Sequence, residues 1–138
     1  MDYDFFKIKE YKLWTLYLHE NQSYLGRMYL LANRKNATDF IDINEEERKE
    51  FFFAAKEVKS TLTILFEPDL MNYASLGNRF RRLHVHFIPR YKKERRVGDF
   101  SFVDTRWGMN YAPYNREFVA SKECLMKIKS LIKKTFKA

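Results

Sequence analysis

Two histidines separated by a single residue are the clearest candidates for chemistry in this chain. His84 and His86 stand in an apolar run, Leu83-His84-Val85-His86-Phe87-Ile88, and only one other histidine occurs among the 138 residues. Residues i and i+2 of a β-strand share a face, so we expect both imidazoles on one side, with Cα atoms roughly 6–7 Å apart. Leu83, Val85 and Phe87 then face the core.

The chemistry open to such a pair is nucleophilic attack and proton transfer. An imidazole has an unperturbed pKa of about 6.5, so its neutral form is a competent nucleophile near pH 7. One ring nitrogen must donate its proton, for which we expect a backbone carbonyl, so that the other nitrogen presents its lone pair. A second imidazole can bind a phosphoryl oxygen or donate a proton. The alternative, two partly buried histidines with only a structural role, stays open at this point.

Positive charge surrounds the histidine pair. The chain carries 26 Lys and Arg against 18 Asp and Glu, a formal net charge of +8, and many of the basic residues fall between Arg79 and Arg96. This distribution attracts polyanions and places positive potential where a phosphate could meet an imidazole. Arg82 shares the face of both histidines, where it could clamp a phosphate through two hydrogen bonds or pair with a carboxylate at the rim.

The elements that must position these residues are strands in the first half and around the histidines. Alternating apolar and aromatic residues predict strands at 8–19, 24–33, 70–75 and 83–91, the first two as an antiparallel hairpin. Gly26 indicates a bulge or a close backbone approach. The charged segment 92–99 is interpreted as a loop, and 100–107 as a short extended segment.

Two helices complete the predicted elements. Asn44 and Glu47 form a capping-box pattern ahead of an apolar stripe of helical period, and Pro68 ends that helix. Ser121 is placed to cap a final helix. We expect a single α+β domain over residues 1–138, a mostly antiparallel sheet with helices packed on it.

In these residues the chain resembles the histidine triad (HIT) superfamily. That family's pattern is His-φ-His-φ-His-φ-φ, with φ apolar, and here it reads Arg82-Leu83-His84-Val85-His86-Phe87-Ile88, followed by Pro89-Arg90-Tyr91. Upstream, Asn72-Tyr73-Ala74-Ser75-Leu76-Gly77-Asn78 looks like the strand and turn that lead into the motif. The departure is Arg82 at the first triad position. The resemblance implies a five-stranded, mostly antiparallel sheet with a long helix and a C-terminal helix packed on it.

The same resemblance implies hydrolysis or transfer of a nucleoside monophosphate by attack at an α-phosphate, through a covalent nucleotidyl-histidine intermediate. The substrate would be an adenosine phosphoramidate, a dinucleoside polyphosphate or a related nucleotide. His84 would be the nucleophile, and His86 would hydrogen-bond the phosphate or assist the leaving group. Asn72 and Asn78 would bind phosphate or ribose oxygens, while Asn78 after Gly77 is just as readily a turn former. Arg82, which replaces the family's first histidine, is a substrate-binding candidate only through its place on the histidine face. No metal or other cofactor is implied, and family members usually pair as homodimers.

Two other functions compete with this expectation. The basic balance and Arg82 are also compatible with a non-catalytic nucleotide- or RNA-binding module, although nucleic acid is the less favoured partner. A metal-dependent hydrolase would use His84 and His86 as two ligands. No His/Cys/Asp/Glu spacing completes that ligand set, and His19, which we interpret as a surface histidine, is distant in sequence.

The expected location is the cytoplasm. Cys124 is the single cysteine, so no internal disulfide can form, which suits a reducing compartment. The first residues show no basic region followed by an apolar one, so we expect no secretory signal. No apolar run approaches the roughly 18 residues of a membrane span, so we expect no membrane association.

Overall fold

The computed structural model describes residues 3–137, with side chains to residue 136. The elements in that range, in chain order, are α1 (Tyr3–Phe6), β1 (Lys7–Glu10), β2 (Trp14–Leu18), β3 (Met28–Ala32), a 3-10 turn (Phe40–Asp42), α2 (Glu45–Phe66), β4 (Leu70–Ala74), β5 (His84–Arg90), β6 (Arg95–Val97), β7 (Phe100–Phe102) and α3 (Lys122–Lys137).

Five strands form one antiparallel sheet in the order β1-β2-β3-β5-β4. The strand that carries the histidines is therefore interior, with β3 on one side and β4 on the other. Its register places His84 opposite Leu31 and His86 opposite Tyr29. The α+β class and the five-stranded antiparallel sheet expected from the sequence are confirmed.

The two faces of the sheet have different tasks. Leu83, Val85 and Phe87 are buried, as their alternation with the histidines predicts. They belong to the same core as the apolar faces of α2 and α3. The opposite face of β5 presents the two histidines, each half-buried. A sheet covered by helices on one side thus supports the histidines on the other.

Residues next to its two ends determine where helix α2 begins and ends. The Asn44 side chain accepts a hydrogen bond from the Glu47 backbone, and the Glu47 side chain accepts one from the Asn44 backbone, so the capping box is confirmed. Glu67, just before Pro68, adopts a left-handed conformation (φ 48°) and closes the helix. Among residues 3–137, no helix combines the length and hydropathy needed to cross a membrane.

The strand expected over 8–19 is two strands, β1 and β2, joined by a reversal. The Glu50 carboxylate of α2 accepts hydrogen bonds from the backbone N–H groups of Lys12 and Leu13, and the Tyr11 N–H donates to the Trp14 carbonyl. These contacts with a helix distant in sequence turn the chain inside an otherwise strand-like run. β2 and β3 form the expected antiparallel pair, but β3 begins at Met28 because residues 19–27 form a loop.

The segment 92–99 is not wholly a loop, which corrects the expectation for it. Arg95–Val97 pairs antiparallel with Phe100–Phe102 around a turn at Gly98, whose φ of 58° is one that glycine adopts without strain. Residues after Phe102 extend without regular pairing toward Ser121. Ser121 caps α3 as expected, because its Oγ accepts a hydrogen bond from the Cys124 N–H.

Candidate active site

A cavity of about 500 Å³ lies on the histidine face of the sheet. Its volume falls within the range of small-molecule sites, about 300–1,000 Å³. Residues of α1, β2, β3 and β5 form its wall, together with the start of the β2–β3 loop and the turn that precedes β5. The lining includes Tyr3, Tyr17, His19, Glu20, Tyr29, Phe80, Arg82, His84 and His86.

His84 is held with one ring nitrogen already used. Its Nδ1 lies 2.8 Å from the carbonyl oxygen of Arg82. Because a carbonyl only accepts, Nδ1 carries the proton and donates, and the neutral ring keeps its lone pair on Nε2. This is the arrangement a histidine nucleophile needs.

His86 has the opposite arrangement. Arg27 Nη2 approaches His86 Nδ1 at 3.4 Å. A guanidinium only donates, so Nδ1 accepts and the ring proton lies on Nε2. Burial, followed by the nearby charge of Arg27 and by the other two histidines, lowers the pKa of His86 to about 3. His86 lies beside His84, with ring centroids 5.0 Å apart.

His19 is part of this cluster, so its interpretation as a surface histidine is wrong. Its ring lies 5.6 Å from that of His86, and its Nδ1 accepts a hydrogen bond from the Asn21 N–H at 3.0 Å. Burial, then Arg27, lower the pKa of His19 to about 3. All three histidines of the chain thus line one cavity.

The β2–β3 loop positions both His19 and Arg27 through one buried amide. Gln22 Nε2 donates to the His19 carbonyl at 2.8 Å and the Arg27 carbonyl at 3.0 Å, and its Oε1 accepts from the Gly26 N–H at 2.7 Å. Gly26 has φ 89°, and a Cβ there would stand 2.6 Å from Leu62 of α2. The close backbone approach expected at Gly26 is confirmed, and it presses the loop onto the helix.

Tyrosine rings form the apolar part of the wall. Tyr29 contacts all three imidazoles, with centroids 5.8 Å from His86, 6.2 Å from His84 and 6.1 Å from His19. Tyr17 stacks on Tyr29 at 5.3 Å. Burial raises the pKa of Tyr29, so its hydroxyl stays neutral. The cavity therefore combines imidazole donors and acceptors with flat aromatic surfaces.

Arg82 borders the cavity, but its side chain is partly committed to the fold. Nε donates to the Ala32 carbonyl at 2.8 Å and Nη2 to the Asn33 carbonyl at 3.3 Å, both at the end of β3. The contacts found between residues 3 and 136 thus fix the guanidinium on backbone oxygens and do not include the rim carboxylate that was one of the two alternatives for it. Its positive charge still faces the cavity.

Asn72 and Asn78 do not join the cluster. The Asn72 Oδ1 accepts a hydrogen bond from Arg90 Nη1 at 2.9 Å, and Asn78 is exposed in the turn that follows Gly77. Within the described part of the chain, neither lines the cavity. Asn72 supports Arg90 in the structure, and Asn78 lies in a turn, which is the alternative role open to it from the sequence.

The arginine that Asn72 supports links the histidine strand to the C-terminal segment. Arg90 forms a bidentate pair with Asp104, with Nε to Oδ2 at 2.8 Å and Nη2 to Oδ1 at 3.2 Å, and both side chains are buried. Arg90 also donates to the carbonyls of Arg106 and Met109. These bonds hold the segment that carries Tyr111 and Tyr114, whose rings lie 5.5 Å and 4.6 Å from the Arg27 guanidinium.

Two of these residues, His19 and Arg27, are absent from the sequence-based site. Both lie in the β2–β3 loop, more than 50 residues before the histidine motif, and no spacing rule connects them to it. The available signal was Gly26, since a glycine that permits close approach can mark a loop fixed beside a functional cavity. As for metals, residues 3–136 contain no group of three His, Cys, Asp or Glu side chains suited to hold an ion.

Comparison with known protein families shows to which family the chain belongs. The HIT domain model matches residues 6–93, well over half of the chain. The chain belongs to the HIT family. A parallel comparison with curated proteins found no match.

Solved HIT structures share the fold. A histidine triad protein from Marinobacter aquaeolei VT8 is 20% identical, with a TM-score of 0.79 over 95% of this chain and 88% of the other. One from Bradyrhizobium japonicum is 19% identical, with a TM-score of 0.78 over 94% and 89%. A hypothetical histidine triad nucleotide-binding protein from Sulfolobus tokodaii is 15% identical, with a TM-score of 0.75 over 96% and 83%. At these identities the likeness shows the fold alone.

Proposed function

We propose that this HIT protein is a nucleotidyl hydrolase or transferase that acts through a nucleotidyl-His84 intermediate. The observation that carries the proposal is the hydrogen bond from His84 Nδ1 to the Arg82 carbonyl, which leaves the Nε2 lone pair for attack. Family membership and the adjoining cavity of about 500 Å³ support a nucleotide as the substrate. An adenosine phosphoramidate, a dinucleoside polyphosphate or a related nucleotide fits this chemistry.

The first step is displacement at the α-phosphorus. His84 Nε2 forms a bond to phosphorus as the bond to the leaving group breaks, and the leaving group departs with the electron pair. Water then attacks phosphorus, the N–P bond breaks, and His84 regains its lone pair as the nucleoside monophosphate is released. Covalent catalysis of this kind replaces one difficult displacement by two easier ones.

The neighbouring groups stabilise charge on the phosphoryl oxygens. His86 donates from Nε2 to such an oxygen, and Arg82 contributes positive potential at the cavity wall. Pre-positioned donors of this type each supply about 10²–10³ in rate. Asn72 and Asn78 have no part in the proposed step, because one is bound to Arg90 and the other lies outside the cavity wall.

Turnover of adenylated compounds tests the proposal. The protein is incubated without added metal with a panel of adenosine phosphoramidates and dinucleoside polyphosphates, and nucleotide products are separated by chromatography. His84→Ala should lose at least about 10³-fold in turnover with the fold intact, because the nucleophile is gone. Full activity in a folded His84→Ala protein would remove His84 from the mechanism. Binding without any product would favour the non-catalytic alternative.

We also propose that the protein works as a homodimer in the cytoplasm. β4 is an edge strand with unpaired backbone groups, and its Leu70 and Tyr73 are each about half exposed (53% and 54%). Beside it lies an apolar hollow of about 500 Å³ between β4 and α2, lined in part by Phe52. A second copy would cover this surface. The reducing cytoplasm suits the free, buried Cys124.

A further inference from the structure

Arg27 is a buried cation that has no carboxylate partner among the described residues. Its side chain is only 3% exposed, and its Nε and Nη1 atoms are buried with no hydrogen-bond partner among the described residues. The ion pairs found between residues 3 and 136 do not include it. The rings of Tyr111 and Tyr114 lie 5.5 Å and 4.6 Å from the guanidinium, and a side-chain hydrogen bond with Tyr114 offsets part of the effect of burial on its pKa. An unpaired charge in such a place is costly, so its position calls for a function.

Among the contacts of the Arg27 guanidinium, the one that reaches the histidine cluster is with His86. Its Nη2 approaches His86 Nδ1 at 3.4 Å. A protonated His86 would set two N–H donors against each other and two positive charges side by side. A neutral His86 with its proton on Nδ1 would again oppose donor to donor. Only the neutral ring protonated on Nε2 accepts this contact.

We propose that Arg27 is a positioning residue that keeps His86 neutral, with its single ring proton on Nε2. The use of that proton, a hydrogen bond to a phosphoryl oxygen, rests on the proposed function. The fixation of the His86 protonation state by Arg27, which we call the lock, does not rest on the proposed function, because it is a property of the protein without substrate. His84 and His86 thus present complementary nitrogens, a lone pair on one Nε2 and a proton on the other.

The groups around His86 are consistent with this assignment. The cations and imidazoles near it are Arg27, His19 and His84, and together with burial, the largest cause, they lower its pKa to about 3. Tyr29, which is neutral, lies opposite His86 on the neighbouring strand β3. Glu20, whose charge acts in the opposite direction, lines the cavity but is solvent-exposed, so water screens it.

Arg27 is fixed by its backbone and not by a salt bridge. Its carbonyl accepts from the His19 N–H and from Gln22 Nε2, and its N–H donates to the Tyr24 carbonyl. Because three hydrogen bonds set the main chain at the start of β3, the guanidinium meets His86 before any substrate arrives. This is the preorganisation expected of a residue that orients a donor.

Nitrogen NMR of the wild-type protein gives the first test. Two-bond ¹H–¹⁵N spectra of ¹⁵N-labelled protein at pH 7 distinguish protonated from unprotonated ring nitrogens for each histidine. The expected result for His86 is a neutral ring with its proton on Nε2 alone, retained down to at least pH 5. For His84 the expected result is a proton on Nδ1. A proton on Nδ1 of His86, or a protonated ring at pH 6, would overturn the proposal.

Variants at Arg27 give the second test. Arg27→Met keeps the length of the side chain and removes charge and donors, so the pKa of His86 should rise by about 1–2, without reaching 6.5 because burial remains. Its Nδ1-protonated form should also appear. Arg27→Lys keeps a cation that only donates, so it should retain the Nε2 proton. Arg116→Met is the matched control, since Arg116 covers Tyr114 at 5.1 Å and is exposed.

The outcomes separate the lock from the proposed reaction. An unchanged His86 tautomer and pKa in folded Arg27→Met, or an equal change in Arg116→Met, contradicts the lock. If Arg27→Met does not fold, the wild-type spectrum and Arg27→Lys still decide. Because every readout is spectroscopic, the lock can hold in a protein without turnover, and turnover can persist in a protein without the lock.

Discussion

The ring nitrogens of three neighbouring histidines differ in their hydrogen bonds, and this difference is the chemical content of the site. His84 donates from Nδ1, whereas His19 and His86 accept at Nδ1. The groups that impose the difference are the Arg82 carbonyl on His84, the Asn21 N–H on His19 and the Arg27 guanidinium on His86. Hydrogen-bond partners that are in place before a substrate binds therefore determine which ring nitrogen of each histidine donates and which accepts.

The neutral histidines make stability depend on pH. The pKa values of His19 and His86 are lowered to about 3 by burial and then by Arg27, whereas an unfolded chain titrates near 6.5. Below pH 6.5 the unfolded state therefore binds more protons, so the free energy of unfolding falls from pH 6.5 toward 3 and is fully present above 6.5. We expect a loss of up to about 2 kcal/mol for each histidine between pH 6.5 and 5.

Urea unfolding at pH 7.5, 6.5 and 5 measures this loss, and His19→Gln should reduce it by up to half. Glu47 and Asp104, whose pKa values are also lowered, start from 4.5 and 3.8 and so titrate below this window. A free energy of unfolding that stays constant between pH 6.5 and 5 would show that neither histidine is kept neutral by the fold.

At the residue level, the sequence predicts part of the site. The alternation of His84 and His86 with buried Leu83, Val85 and Phe87 needs only the period of a strand. His19 and Arg27 depend on how a loop folds back across the sheet, which no local pattern contains.

Among the elements, the β2–β3 loop depends most on a single side chain. Gln22 is fully buried and satisfies two carbonyls and one N–H. Gln22→Leu removes all three hydrogen bonds, and the Arg27 carbonyl keeps only its bond from the His19 N–H, so we expect a loss of about 2–4 kcal/mol in the free energy of unfolding. Thermal and urea denaturation measure it.

Ser23 provides the control within the same loop. Its hydroxyl is buried and, within residues 3–136, has no hydrogen-bond partner. Ser23→Ala should therefore change stability by no more than about 0.5 kcal/mol, or raise it. Equal losses in the Gln22 and Ser23 variants would mean that burial alone, and not the hydrogen bonds of Gln22, holds the loop.

Element boundaries could be predicted where their causes are local. The Asn44–Glu47 box starts α2 and Ser121 starts α3, and both signals lie within four residues. The split of 8–19 into two strands depends on Glu50, about 38 residues away, and could not be predicted. The β6–β7 hairpin could have been: Gly98-Asp99 between Val97 and Phe100 is a two-residue hairpin signal, hidden among charged residues.

For the whole molecule, the proposed dimer gives a test by size. Tyr73 lies exposed on the edge strand β4, beside the apolar hollow. Tyr73→Arg places a charge in the proposed interface, so the protein should become monomeric in sedimentation or light-scattering measurements. Val119→Arg changes another strongly exposed side chain, 86% accessible, and should leave the dimer intact. A monomeric wild-type protein, or a dimeric Tyr73→Arg protein, contradicts the proposal.

The charge of the whole chain complements the site. A formal net charge of +8 draws phosphate-bearing ligands toward a cavity bordered by Arg82. Composition predicts this attraction to anions, but many basic proteins share it. The identity of the anion depends on the cavity, whose tyrosines and imidazoles come from α1, β2, the β2–β3 loop, β3 and β5.

The covalent intermediate is the most direct test of the account. The protein is mixed with an adenylated substrate without metal, quenched at alkaline pH where a phosphorus–nitrogen bond survives, digested and analysed by mass spectrometry. The account predicts one adenylyl group on His84 in the peptide that also contains His86, and none in His84→Ala. An adduct on another residue, or turnover with no adduct at any time after mixing, would contradict it.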